Sequence, residues 1–182
     1  MFSKVIVPYV APTAFFSVVK PEKIDVRILL GAACMLAFIP LCKMGLGNLL
    51  GTFLHAYVEE YAVVAAFSLW YKPASVLQQQ VAMIPIYMLV LIVYGGVLHC
   101  LLWMAQGVSA SYPATLRCLC FAIPCMLLAV IPYSGIVAAA LYGAMFLGYS
   151  LKATHGASWR SVLPVAAVNV PVLLLASRIL FP

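Results

Sequence analysis

The chain has 182 residues, 66% of them hydrophobic and 8% charged, with a formal net charge of +6. A soluble domain keeps about a quarter of its residues charged, so this composition excludes a soluble globular protein and leaves no stretch polar enough for a separate soluble domain. The basic residues are scattered and mostly flank apolar runs, where they anchor helices at anionic headgroups, so the positive charge does not point to nucleic acid.

Three stretches, 73–116, 118–151 and 161–177, contain no Asp, Glu, Lys or Arg. A helical crossing of the bilayer takes roughly 20 apolar residues. The first stretch holds one crossing and a loop; the second holds two if it is broken in the middle. The expected fold is all-α, a polytopic membrane bundle of five transmembrane helices at 28–42, 81–104, 118–132, 135–151 and 161–181, with one interfacial or re-entrant segment at 44–71.

Taken in order, residues 1–27 read as a juxtamembrane N-terminal segment. Lys4 and the apolar run after it have the look of a signal peptide, but Pro8 and Pro12 interrupt the run and no small-residue cleavage site follows. Lys20, Lys23 and Arg27 then form a basic collar before a first span short enough that Arg27 and Lys43 must snorkel to the headgroups. Segment 44–71 is long enough to cross, but it carries His55, Glu59 and Glu60 near its middle, and carboxylates at bilayer depth are costly. The interfacial placement follows, with Trp70 and Tyr71 at headgroup level.

Segment 81–104 is the clearest span, preceded by three glutamines and closed by Trp103. Segments 118–132 and 135–151 form a hairpin around the turn sequence Pro132-Tyr133-Ser134-Gly135. The last span is bent by Pro164 and Pro171. Residues 28–182 make one transmembrane domain. The six cysteines lie almost entirely inside apolar runs and behave as small apolar residues rather than as a disulfide framework.

Orientation follows from the positive-inside rule. With five spans, Lys4, Lys20, Lys23, Arg27, Arg117, Lys152 and Arg160 fall on one side and Lys43, Lys72 and Arg178 on the other. Were 44–71 also to cross, the split would be less uneven. The expectation is an N-terminus inside and a C-terminus outside.

The sequence has no Walker loop, no HExxH, no G-x-S-x-G and no CxxC. Four weaker features are candidates. Gly135, Ala139 and Gly143, and in a second register Ala140, Ala144 and Gly148, repeat at four-residue spacing, the pattern that lets helix backbones approach closely. This candidate helix-packing face serves contacts inside one subunit or an oligomer interface. His99 is ionisable within a span, which makes it a candidate for ligand or proton handling; the structural alternative is a neutral imidazole bonding a neighbouring carbonyl or water. His55 and Glu59, four residues apart, share a helix face and present two metal ligands or a solvated charged surface. Asn169, between Pro164 and Pro171, either satisfies backbone groups freed by the prolines or lines a polar cavity. His99, Cys100, Cys118 and Cys120 are potential neighbours in space, but their spacing matches no zinc pattern, and no metal or cofactor is expected.

Gly95 and His99, then Thr115-Leu116-Arg117, Pro124, Ile131-Pro132, Gly135, Gly148 and the loop His155-Gly156-Ala157-Ser158, together resemble the Yip family, the Ypt-interacting-protein-like membrane proteins, in its compact bacterial form. The stretch around Pro12, Phe15, Phe16 and Pro21 looks like the segment leading into that family's first span. The resemblance covers most of the chain and implies five spans with a cytosolic N-terminus. Eukaryotic members act in vesicle traffic and bind small GTPases and each other through a long polar N-terminal region. Here about 27 residues stand in that place, which sets this chain apart from the GTPase-binding members. For the compact bacterial type the resemblance implies a membrane protein without an assigned reaction.

The function expected is therefore non-enzymatic: a scaffold or partner-binding protein in the bacterial inner membrane, organising lipids or other membrane proteins or self-associating. The alternative is a transporter or channel for a small solute, ion or lipid, with a polar site near His99 and Asn169 and with Glu59 and His55 as further candidates. A continuous polar path through the bundle would distinguish the two.

Overall fold

The computed structural model describes Tyr9, Phe15, Phe16 and residues 23–54, 73–131 and 134–180. These form helices α1 (Val26–Leu54), α2 (Pro73–Met104), α3 (Tyr112–Ala122), a 3-10 segment (Ile123–Val130), α4 (Gly135–His155) and α5 (Trp159–Leu180). The described residues are an all-α bundle without a strand. Among the described residues, four stretches are long and apolar enough to cross a membrane: Val26–Lys43, Leu77–Met104, Tyr112–Val130 and Gly135–His155. The expected fifth span, now α5, is a 22-residue helix with Pro164 and Pro171 inside it, and is not one of these four.

The boundaries differ from the expected ones for identifiable reasons. The first helix does not stop at Cys42 but runs on to Leu54. Glycines at 45, 47 and 51 weaken this stretch without breaking it, since none removes an N–H as proline would. The expected interfacial segment 44–71 thus starts inside α1, and the rest of it, from 55, lies outside the described residues. Lys43 is buried, at 8% exposure. The third span starts at Tyr112, with Pro113 in the first turn, where a missing N–H costs nothing. It changes from α to 3-10 geometry at Ile123, just before Pro124. That proline has no N–H to donate to the carbonyl four residues back and its ring crowds the regular turn; it falls instead in the first turn of the 3-10 segment. The fourth helix continues past Leu151 to His155 and ends at Gly156, whose φ of 62° is the left-handed cap that glycine adopts freely.

Cross-helix contacts fix the direction of each helix. His99 near the end of α2 meets Thr115 at the start of α3, which meets His155 at the end of α4. Ile28 and Leu29 at the start of α1 share a cavity with Pro113 and Leu116. The starts of α1 and α3 and the ends of α2 and α4 therefore gather at one end of the bundle. The other end is marked by a small cluster of Ile39, Met126, Ala129 and Ala139. Successive helices alternate in direction, and the basic residues Lys23, Arg27, Arg117, Lys152 and Arg160 all belong to the first end.

The main core joins Leu29 and Ala33 of α1, Leu98 and Leu102 of α2, Leu119 of α3 and Leu147 and Leu151 of α4. The N-terminal segment contributes to it directly. Phe16 is 1% exposed and packs edge-on against Phe121 and Phe146, while Tyr9 stacks on Phe146 at 5.2 Å between centroids. Gly135, Ala139, Gly143 and Gly148 are all buried within the chain. α2 is the least covered of the four candidate spans, and Leu89, Val90, Val93 and Val97 stand exposed on it, as apolar side chains do where lipid is the solvent.

Candidate functional site

On α3 the residues Thr115, Cys118, Leu119 and Ala122 follow the three-and-four spacing of one helix face, and all are buried. Two of them are polar and meet α4. Thr115 Oγ1 lies 2.9 Å from His155 Nε2, and Cys118 Sγ lies 3.2 Å from Thr154 Oγ1. Thr115 Oγ1 also lies 2.8 Å from Nδ1 of His99 on α2. One hydroxyl on a residue with no exposed surface therefore joins two imidazoles from two other helices.

The direction of this chain follows from its far end. The backbone N–H groups of Ser109 and Ala110, in the loop between α2 and α3, both point at His155 Nδ1, at 3.4 and 3.2 Å. A ring nitrogen that accepts N–H bonds carries no hydrogen, so the hydrogen of His155 sits on Nε2. Nε2–H then donates to Thr115 Oγ1, whose own O–H donates to His99 Nδ1. The hydrogen of His99 is thereby fixed on Nε2, at the open end. The Ser109 hydroxyl completes the joint by donating to the His155 backbone carbonyl. Around it, the edge of Tyr112 faces the His99 ring at 5.9 Å, and the Tyr112 hydroxyl donates to the Ile92 carbonyl at 2.7 Å.

Chemically this arrangement is a three-helix clasp. Its inner end stops at two peptide N–H groups, which neither take up nor release protons near neutral pH, so the chain does not continue as a proton wire. Hydrogen bonds of this kind between helices are the usual polar glue of membrane bundles.

Asn169 does something different from closing a proline gap. It is 2% exposed, and its side-chain carbonyl accepts the Tyr94 hydroxyl of α2. His99 and Asn169 therefore both belong to contacts made by α2, but each has its own partners. His55 and Glu59 lie outside the described residues. Of the cysteines considered beside His99, Cys100 is exposed, while Cys118 and Cys120 are buried. Among the described residues no group of three or more His, Cys, Asp or Glu is placed to hold a metal ion.

The sequence offered His99 and Asn169 as candidate site residues; Thr115 and His155 entered only among the residues of the family resemblance, and Tyr94 not at all. His155 carried one usable signal, its place just before a helix-capping glycine at the end of an apolar run. Thr115 and Tyr94 carried none, because a lone threonine or tyrosine in a span is ordinary. Compared with protein-family models, with curated proteins and with solved structures, the chain matches none.

Proposed function

We propose that this chain is a non-enzymatic scaffold or partner-binding protein of the compact bacterial Yip-like type. It resides in the cytoplasmic (inner) membrane with five spans, its N-terminus inside and its C-terminus outside. α5 is the fifth span in this reading, carrying the chain from the basic end of the bundle to the other. The gathering of Lys23, Arg27, Arg117, Lys152 and Arg160 at the end where α1 begins supports the orientation.

One observation carries the functional reading. Among the described residues, the two polar side chains expected to form a transport site are engaged across helices: His99 with Thr115 and His155, and Asn169 with Tyr94. A midplane transport site needs such groups turned towards the solute. Here they hold helices together, while the exposed apolar strip of α2 offers lipid and neighbouring membrane proteins a surface.

In-cell crosslinking followed by recovery of the protein tests this reading. Wild type, His99→Ala and Asn169→Ala are expected to recover the same membrane partners or the same self-associated species. Recovery no more selective than that of an unrelated membrane protein of equal size would reject it.

A further inference from the structure

We propose that the cavity between the start of α1 and the first turns of α3 binds a phosphate-bearing anion, and that its occupant is the headgroup of an anionic phospholipid. The cavity has a volume of about 400 Å3. Lys23, Asp25 and Arg117 supply its charged lining; Ile28, Leu29 and Leu116 are among its apolar walls.

Arg117 is the central observation. Its guanidinium is packed near the rings of Phe15 and Phe121, at 5.4 and 5.6 Å from their centroids. Its Nε is buried and has no hydrogen-bond partner. A buried guanidinium donor left without an acceptor is unfavourable, and a phosphate oxygen is an acceptor that its planar fork fits. Asp25 Oδ1 takes the backbone N–H of Arg27 at 3.0 Å, and no hydrogen bond from the Asp25 carboxylate reaches the Arg117 Nε. Two cations against one carboxylate leave the cavity net positive.

The surroundings select among anions. The cavity lies at the end of the bundle that also carries Arg27, Lys152 and Arg160, where a leaflet's headgroups would sit. It is charged on one wall and apolar on another, which suits a phosphate with an acylglycerol attached. Basic pockets between transmembrane helices take anionic headgroups by this chemistry. The clasp of His99, Thr115 and His155 is not part of this site, so the proposal stands apart from the scaffold reading.

The test uses the full-length protein, purified in mild detergent and exchanged into nanodiscs of phosphatidylcholine with a minor share of phosphatidylglycerol. Native mass spectrometry reads the lipid retained. Wild type is expected to keep phosphatidylglycerol several-fold in preference to phosphatidylcholine, and Arg117→Gln to lose that preference. Lys23 is exposed, so Lys23→Gln leaves folding intact and is expected to weaken the preference as well. Equal retention of the two lipids by wild type, or a preference unchanged in both variants, overturns the proposal. A separate arm adds inorganic phosphate and follows thermal unfolding. Stabilisation of wild type but not of Lys23→Gln, without any lipid preference, would keep the anion site and overturn the lipid as its occupant.

Discussion

Gly135→Ala is expected to destabilise the protein by about 3 kcal/mol, the upper end of the usual cost of overpacking. A Cβ at this position would stand 2.3 Å from the backbone oxygen of Leu128, 3.0 Å from Ile131 Cβ and 3.4 Å from Ala129 Cα. The first of these contacts is the decisive one. The Leu128 carbonyl is part of the backbone and already accepts the Ile131 N–H at 3.0 Å, so it cannot swing away without undoing the end of the 3-10 segment. Gly148→Ala is the control. Its added methyl would meet Ala166 Cβ at 3.4 Å, an ordinary contact, and alanine is worth up to about 1 kcal/mol over glycine inside a helix. Thermal unfolding in one detergent should show a large drop for Gly135→Ala and little change or a small rise for Gly148→Ala. Equal effects would remove the close approach as the reason for Gly135.

Thr115→Val is expected to cost about 2 kcal/mol although it conserves shape. The substitution deletes the hydroxyl that accepts from His155 and donates to His99, leaving both imidazoles without that partner. Bonds between membrane helices are worth about 0.6 kcal/mol on average and up to about 1.7. Two are lost here at a fully buried position, which places the sum near the stated value. Thr115→Ser, which keeps the hydroxyl, should retain most of the stability. Because the three residues act as one unit, the double variant Thr115→Val with His155→Ala should lose less than the two single losses added together. Strict additivity would show that the hydroxyl does not couple α3 to α4.

These two positions also mark how far the amino-acid pattern could be read. The all-α membrane class and the cores of four of the expected spans were legible because long charge-free apolar runs have few alternatives. The end of α4 lies four residues beyond Leu151, the last residue expected in it, because the helix runs on through Lys152 to His155 until the left-handed Gly156 ends it. The 3-10 segment after Ala122 follows from Pro124, but proline alone does not say whether a helix kinks, breaks or tightens. Gly135 was grouped with Ala139 and Gly143 as part of a packing stripe between helices. Its tightest contact is instead the backbone of the segment just before it, a local constraint that four-residue spacing does not encode. The clasp was the least legible part. His99, Thr115 and His155 are separated by 16 and 40 residues, and only the packing of three helices reveals that one hydroxyl serves both rings. Asn169 stands out in the sequence as polar in an apolar run, yet its partner Tyr94 lies 75 residues away.

In the proposed scaffold reading, His99, Thr115, His155, Tyr94 and Asn169 hold helices together and do not line a path. Proteoliposomes containing the purified protein test it most directly, by following proton leak, small-solute flux and lipid movement in wild type and His99→Ala. Rates equal to those of protein-free liposomes are expected for both proteins. Flux above that background in wild type, abolished in a folded His99→Ala, would contradict it.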